Sequence, residues 1–208
     1  QAINGLCIID NTVNMASVSF LGNIENYLYV GEIAGYLEAS DNDVTVKNCA
    51  NYGSVTHSGN ITSFNSPSYI GGVVGYSSGG SSNKVFIQNC LNYGTINHNG
   101  TTARNLYIGG ITGYAYGTNN NIENCVSGGK ITSNKQDKYY PGSVAGCASS
   151  GATITYCCWS SDVGCDKACG SGSPGTDNAS LVSLNTTIMD SLNSYASEKD
   201  VSWSKWFM

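Results

Sequence analysis

The sequence is poor in charged residues. They make up only 11% of its 208 positions, against roughly 25% in an average globular protein. Lysine and arginine together number 9, and no two of them are adjacent. A chain without a basic cluster lacks the electrostatic footprint of a protein that binds nucleic acid or an anionic membrane surface. We therefore expect no nucleic-acid partner.

Long apolar runs are also missing. No stretch approaches the ~18 to 20 apolar residues that a membrane helix needs, and no segment has the basic head and apolar body of a secretion signal. We therefore expect no membrane insertion in this segment. Because the chain begins with Gln1, we also expect a processed form or a piece of a longer protein.

Glycine and asparagine are abundant, with 26 and 24 residues, whereas proline occurs 3 times. Both abundant residues favour tight turns, since they tolerate backbone conformations that other residues avoid. A length of 208 residues suits one elongated domain. The composition therefore predicts a turn-rich β structure with a nearly neutral surface.

Two short motifs recur along the chain in the same order. The first appears as YVGEIAGY (29–36), YIGGVVGY (69–76), YIGGITGY (107–114) and, degraded, YPGSVAGC (140–147). The second appears as NCANYGSV (48–55), NCLNYGTI (89–96), NCVSGGKI (124–131) and YCCWSSDV (156–163). A fixed order at spacings of this size indicates a repeat architecture.

Each unit has the pattern of three short strands joined by turns. No unit can bury its apolar side alone, but units stacked at the ~4.8 Å strand spacing would share one core. The pattern therefore predicts an all-β fold, a parallel β-solenoid or β-helix of about four coils. Equivalent residues of successive units should then superpose.

The predicted ladders assign roles to the repeated residues. One ladder contains the apolar residues Ile33, Val73, Ile111 and Val144. A second contains glycines at a tight corner, Gly35, Gly75, Gly113 and Gly146. A third contains cysteines that we interpret as buried thiols acting as small apolar groups: Cys49, Cys90, Cys125 and Cys157.

The two ends differ from the repeats. Residues 1–28 are apolar but out of phase, which predicts an N-terminal cap or a first irregular coil before the repeats of 29–163. Residues 164–208 form a cysteine-containing cap in which Met189 and Leu192 have helical spacing. We expect this short C-terminal helix to cover the last coil, because an open solenoid end exposes sheet edges.

The sequence YIGGVVGY followed by IQNCLNYGTI resembles the GLUG-type repeat of large bacterial and protist cell-surface proteins. The segment CCWSSDVGC and the final residues also look like the closing part of such arrays, so the resemblance covers about residues 29–206. It implies a right-handed β-solenoid on or outside a cell, used for adhesion or as a spacer, without catalytic residues. Glu32 and the sequence from Pro141 to Ser143 depart from the pattern.

Rows of tyrosine have two interpretations. Outward rows offer flat apolar platforms for sugars or a partner chain, whereas internal stacking at the corners needs no ligand and is favoured. The possible contact surface contains Tyr36, Tyr52, Tyr76, Tyr93 and Tyr114; a further row contains Tyr29, Tyr69, Tyr107 and Tyr140.

Two histidines, His57 and His98, occupy the same place in successive units. A shared metal ion would need three or four ligands, and the third unit has Ser133 at that place. We therefore interpret them as loop residues that were copied with the repeat, and we predict no metal or cofactor.

The cysteine-rich segment CCWSSDVGCDKAC allows a zinc site or disulfides. Only Cys165 and Cys169 have the spacing of a zinc knuckle. If Cys157 continues the buried ladder, its neighbour Cys158 points outward, because side chains alternate along a strand. We therefore prefer a disulfide from Cys158 to Cys165 or Cys169.

Five of the nine cysteines fall within residues 147–169, which favours a disulfide-permissive compartment. Four glycosylation sequons point the same way: Asn60, Asn99, Asn178 and Asn185. We predict an extracellular or cell-surface location.

Catalysis has little support, because the carboxylates form no repeated pair: Glu25, Glu32, Glu38, Asp41, Asp43, Glu123 and Asp162. We predict a non-catalytic structural or adhesive module whose partners are other copies, other surface proteins or glycans. One alternative is a subunit of an extracellular filament joined by exchange of a terminal strand. A carbohydrate-active solenoid enzyme is the other.

Overall fold

The protein is a β-solenoid of about four turns with one short helix near its C-terminus, as the repeats predict. The structure is a computed structural model that describes residues 7–134, 137–183 and 186–199. Its strands form five parallel sheets that run along the solenoid, and each complete coil contributes one strand to every sheet. The predicted fold class is therefore confirmed.

The five sheets are numbered in the order in which the chain visits them. The first contains β1 (Cys7–Asp10), β6 (Val44–Lys47), β11 (Val85–Gln88), β16 (Asn120–Glu123), β21 (Thr153–Thr155) and β24 (Thr176–Asp177). The second contains β2 (Val13–Asn14), β7 (Ala50–Asn51), β12 (Leu91–Asn92), β17 (Val126–Ser127), β22 (Cys158–Ser160) and β25 (Ser180–Val182). The third contains β3 (Val18–Phe20), β8 (Val55–His57), β13 (Ile96–His98) and β18 (Ile131–Ser133).

Two further sheets complete each turn. The fourth contains β4 (Leu28–Gly31), β9 (Ser68–Gly71), β14 (Leu106–Gly109) and β19 (Tyr139–Gly142). The fifth contains β5 (Ala34–Glu38), β10 (Val74–Ser78), β15 (Thr112–Tyr116), β20 (Ala145–Ser149) and β23 (Cys169–Gly172). Coils 1 to 4 comprise residues 7–38, 44–78, 85–116 and 120–149.

A coil therefore has five strands rather than the three that the sequence suggests. The motif YIGGVVGY divides into β9 and β10, because the chain bends sharply after Gly71. A Cβ atom on Gly71 would lie 1.9 Å from the Val74 carbonyl oxygen, so only glycine fits this bend.

The interior consists of in-register apolar ladders. In the first sheet, Val46, Ile87, Ile122 and Ile154 superpose and are fully buried. The predicted ladder from Ile33 to Val144 also forms, since the amide of each of its first three members donates to the carbonyl of its neighbour one coil further on. Branched side chains stacked in this way exclude water from the core.

Asparagines hold the turn between the first and second sheets. Asn48, Asn89 and Asn124 have φ angles of 54°, 50° and 51°, a left-handed conformation that asparagine tolerates better than most residues. Asn89 Nδ2 donates to Asn48 Oδ1, and Asn124 Nδ2 to Asn89 Oδ1, each at 2.8 Å. At the N-terminal end, Asn48 Nδ2 donates to the Asp10 carboxylate at 2.8 Å.

Of the two expectations for residues 1–28, a cap or a first irregular coil, the described part forms a coil, and this coil is in phase with the repeats. Strands β1, β2 and β3 pair in register with β6, β7 and β8. Asn11 has a φ of 54° and is equivalent to Asn48. Coil 1 is therefore a regular coil whose sequence has diverged.

The helix α1 (Thr186–Lys199) covers a side of the solenoid and not its end. Its residues Met189 and Leu192 pack in an apolar cluster with Leu91, Val126 and Cys158 on the outer face of the second sheet. Trp159, which is 6% exposed, packs in the main core, and a 3-10 turn follows at Ser161–Val163. Strands β24, β25 and β23 are the last strands of the first, second and fifth sheets at the C-terminal end. No helix in the described ranges has both the length and the apolarity needed to cross a membrane.

The cysteine ladder lies in the core. Cys49, Cys90, Cys125 and Cys157 are all at most 2% exposed. Each thiol donates to the carbonyl oxygen two residues earlier, at 3.1 to 3.4 Å. A thiol in this setting acts as a small apolar group.

The predicted disulfide from Cys158 does not form, because helix α1 covers that side chain. All nine cysteines are free thiols. Cys158 lies in the cluster beneath α1, whereas Cys165 and Cys169 pack against the main core. Burial raises the pKa of the Cys158 thiol to about 12, which keeps it protonated at neutral pH.

Candidate functional site: a tyrosine strip

Nine of the 14 tyrosines form one connected surface, here called the tyrosine strip. Its members are Tyr27, Tyr29, Tyr36, Tyr69, Tyr76, Tyr107, Tyr114, Tyr116 and Tyr140. They lie on the outer faces of the fourth and fifth sheets, or directly beside them, where these sheets meet. The sequence identified the rows, but it gave no sign that two rows touch.

Register between coils creates the two rows. Pairing of β4, β9, β14 and β19 superposes Tyr29, Tyr69, Tyr107 and Tyr140, with ring centroids 5.4, 5.7 and 5.2 Å apart. Pairing of β5, β10 and β15 superposes Tyr36, Tyr76 and Tyr114, at 5.2 and 5.6 Å. Rings within each row are stacked face to face.

The rows also interlock edge to face. Tyr69 contacts Tyr76 and Tyr114 at 5.1 and 5.3 Å, and Tyr107 contacts Tyr114 at 5.2 Å. Such T-shaped pairs contribute roughly 0.5 to 1.5 kcal/mol each beyond the burial of area. The strip therefore stabilises the corner between the two sheets.

Glycines allow the rows to meet. A Cβ atom on Gly75 would lie 2.5 Å from the Gly35 carbonyl oxygen and 2.7 Å from the Val30 amide nitrogen. The backbone of β10 thus lies directly against β4 of the preceding coil. This close approach sets the angle at which the fourth and fifth sheets present their tyrosines to each other.

Exposure varies strongly along the strip. Tyr69 is 8% exposed, whereas Tyr36 and Tyr116 are 47% and 45% exposed. Rings inside the rows are stacked between two neighbours, as Tyr69 is between Tyr29 and Tyr107, so both of their faces are covered. Tyr36, at the end of its row, stacks on Tyr76 alone. A sugar ring therefore finds few open aromatic faces, and this geometry favours contacts through edges and hydrogen bonds.

The hydroxyl groups of Tyr76 and Tyr114 are protonated at neutral pH. Burial raises the pKa of Tyr76 and of Tyr114 to about 12, and the neighbouring phenols add to the shift. Tyr107 Oη accepts from Asn105 Nδ2 at 2.8 Å, and Tyr114 Oη lies 2.9 Å from Ser149 Oγ. Tyr76 and Tyr114 therefore present protonated phenols across the physiological pH range, and hydrogen bonds orient the hydroxyl groups of Tyr107 and Tyr114.

Tyr52 and Tyr93 do not belong to the strip. They follow β7 and β12 on the second sheet, stack at 6.1 Å, and are 46% and 37% exposed. The five tyrosines that the sequence grouped as one contact surface are thus divided between two separate surfaces.

The two histidines lie in the core and not on a loop, so that part of the prediction is wrong. His57 and His98 superpose on β8 and β13 and are 0% and 1% exposed. Their Nδ1 atoms are 3.0 Å apart, and His57 Nε2 lies 3.3 Å from the Gly22 carbonyl oxygen. Since that oxygen only accepts, His57 carries its proton on Nε2 and accepts at Nδ1 from His98.

Three of the carboxylates that were considered for catalysis accept hydrogen bonds from polar groups of the solenoid. Glu32 accepts from Asn14 Nδ2 at 2.8 Å, Asp43 from the Lys84 amide at 2.8 Å, and Glu123 from Gln88 Nε2 at 3.0 Å. Within residues 7–134, 137–183 and 186–199, no three His, Cys, Asp or Glu side chains are grouped as metal ligands.

The sequon asparagines Asn60, Asn99 and Asn178 are exposed, and Asn185 lies outside the described residues. Asn60 Oδ1 accepts from the Thr101 amide at 3.0 Å and from its hydroxyl at 2.9 Å. Asn178 Oδ1 accepts from the Tyr156 amide at 2.7 Å.

Comparison of the chain with family models, curated proteins and solved structures finds no match. The resemblance to the GLUG-type repeat therefore stays a prediction.

Proposed function

We propose that this protein is a non-catalytic structural or adhesive β-solenoid module that works on a cell surface or outside the cell. The tyrosine strip is the observation that carries the proposal. It is a continuous surface across all four complete coils, in which Tyr36 and Tyr116 are 47% and 45% exposed. Tyrosine supplies an apolar body and a polar tip at a low cost in side-chain entropy.

The partner that fits this strip is an extended molecule, either a surface glycan or a surface protein. Superposed hydroxyl groups recur once per coil, at about the 4.8 Å spacing of the strands. A partner with its own repeating hydrogen-bonding groups can therefore contact several coils at once. Exposed asparagines at Asn60, Asn99 and Asn178 would carry glycans in such a location.

Binding to an oligosaccharide array and to immobilised cell-surface glycoproteins tests the proposal. The paired substitutions Tyr36→Ser and Tyr116→Ser remove exposed edges of the strip, and we expect affinity to fall about tenfold, which is ~1.4 kcal/mol. The matched control is Tyr52→Ser with Tyr93→Ser, which removes two rings that are 46% and 37% exposed on the other surface and should leave binding unchanged.

Two results would contradict the proposal. Equal binding by both double variants would show that the strip is not the contact surface. Release of new reducing ends from an arrayed oligosaccharide would show hydrolysis and would favour the carbohydrate-active alternative.

A further inference from the structure

The tyrosine strip carries hydrogen-bond donors that the protein does not use itself. Tyr107 Oη accepts from Asn105 Nδ2 at 2.8 Å, and Tyr76 Oη accepts from the Ser78 hydroxyl group. Among the described residues, neither phenol donates its own O–H to another group. A phenol that already accepts one hydrogen bond still has a proton to give, so this surface calls for a partner that supplies acceptors.

A partner with acceptors and few donors suits the strip best. Tyr36 donates to the carboxylate of Glu38, and Tyr114 Oη lies 2.9 Å from Ser149 Oγ, so these groups already have partners within the protein. Sugar hydroxyl groups and the amides of an extended strand bring a donor with each acceptor, and a covered donor without a partner weakens binding. A run of prolines, in contrast, has carbonyl acceptors but no amide N–H.

The period of the strip matches the conformation that a run of prolines adopts. A polyproline II helix has three residues per turn at a rise of ~3.1 Å, which gives ~9.3 Å per turn, and its carbonyl groups have no internal partners. Two coils of the solenoid at the ~4.8 Å strand spacing give ~9.6 Å, whereas an extended strand repeats at ~6.8 Å. A polyproline II segment that lies along the rows therefore meets equivalent hydroxyl groups once in every turn.

The length of the strip sets the length of the segment. The row from Tyr29 to Tyr140 covers three intervals between coils, which is ~14 Å at the strand spacing. This length corresponds to about one and a half turns, or about five residues, of a polyproline II helix. A short proline-rich segment can therefore contact all four complete coils.

The end of the strip in coil 1 is acidic. Glu38 ends β5, is exposed, and lies on the same face of the strand as Tyr36, two residues earlier. An arginine or lysine beside the prolines can pair with this carboxylate. An exposed pair of this kind adds little affinity, but it favours one direction of the segment along the strip.

We propose that the tyrosine strip binds a proline-rich segment of a partner protein in the polyproline II conformation, with a basic residue at the end that faces Glu38. This inference rests on the proposed function, since it names the partner of the same surface. Aromatic surfaces recur as docking sites for proline-rich segments, because a preformed polyproline II helix loses little entropy on binding. The covered ring faces and the unused O–H groups both favour this partner over a glycan.

Fluorescence anisotropy of a labelled decaproline peptide that begins with arginine tests the proposal. We expect the intact chain to bind this peptide and to bind a glycine–serine peptide of equal length at least about tenfold more weakly, which is ~1.4 kcal/mol. Tyr76→Phe with Tyr107→Phe removes the two unused O–H groups and keeps the stacked rings, and affinity should fall about tenfold. The matched control is Tyr52→Phe with Tyr93→Phe, which loses two hydroxyl groups from the other surface and should bind like the wild type.

Three results would overturn the proposal: equal affinity for the two peptides, equal binding by the two double variants, or tighter binding when glutamate replaces the arginine of the peptide. The glycan array separates this inference from the proposed function. If the array is bound through Tyr36 and Tyr116 but the proline peptide is not bound, the inference fails and the proposed function stands. If the peptide, the array and the surface glycoproteins are all left unbound, both fail.

Discussion

Replacement of Gly75 by valine is expected to destabilise the protein by at least about 4 kcal/mol, which is at the extreme of single substitutions. The new Cβ atom would lie 2.5 to 2.8 Å from three backbone atoms, the Gly35 oxygen and the Val30 nitrogen and oxygen. These atoms belong to paired strands and cannot rotate away as a side chain would. For a domain of this size, such a loss lowers the melting temperature by roughly 8 to 16 °C.

Gly22→Val is the matched control, because a Cβ atom on Gly22 meets nothing within 4 Å. The same substitution there should change the melting temperature by less than about 4 °C. Thermal unfolding followed by circular dichroism measures both variants. Similar melting temperatures for Gly75→Val and the wild type would contradict the close packing of β10 against β4.

Acidification from pH 7 to pH 4 is expected to cost about 3 kcal/mol through the buried histidine pair. Burial lowers the pKa of His98 from 6.5 to about 4, with a smaller contribution from His57, and burial also lowers the pKa of His57. The unfolded chain therefore binds protons below pH 6.5 while the folded chain does not. Stability falls as the pH drops below 6.5, and the loss from His98 levels off below about pH 4.

The double variant His57→Phe with His98→Phe isolates this contribution. It continues the aromatic column that Phe20 begins, where the Phe20 ring lies 5.1 Å from that of His57. The larger rings alter absolute stability through overpacking, so the readout is the slope of unfolding free energy against pH. We expect the variant to lose about 3 kcal/mol less than the wild type, and equal slopes would contradict the account.

The repeated residues were sufficient to predict the solenoid, because a repeat with alternating apolar positions has few ways to bury its core. They were insufficient for coil 1, where Thr12, Met15 and Ala16 replace the Cys, Tyr and Gly of the second motif. The structure depends more on Asn11, whose φ of 54° makes the turn, and on Asn14, whose Nδ2 donates to Asn51 Oδ1 at 2.9 Å. The Cys, Tyr and Gly positions of the second motif therefore do not identify coil 1, whereas its asparagines do.

The positions of His57 and Cys158 depend on the alternation of side chains along a strand and on contacts with residues far along the chain. In the sequence of Val55 to His57, strict alternation places the histidine inward beside Val55, so its burial could have been predicted. The same rule correctly directed Cys158 outward. It could not show that α1 covers this outer face, because that contact joins residues about 30 positions apart.

The tyrosine rows show a similar limit. Their stacking along each sheet follows from register, which the repeats define. Contact between the rows depends on the angle between the fourth and fifth sheets, which the close approach at Gly75 sets. That angle decides which ring faces are covered, and therefore what the surface can bind.

Nuclear Overhauser measurements between assigned tyrosine rings test the central claim, that in-register coils build one interlocked tyrosine strip. The account predicts contacts from Tyr69 to Tyr29 and Tyr107 within its row, and to Tyr76 across the rows. The account would be contradicted if Tyr69 showed contacts with rings of one row only. It would also be contradicted if Tyr76 contacted residues one position away from Tyr36 and Tyr114 instead of these two tyrosines.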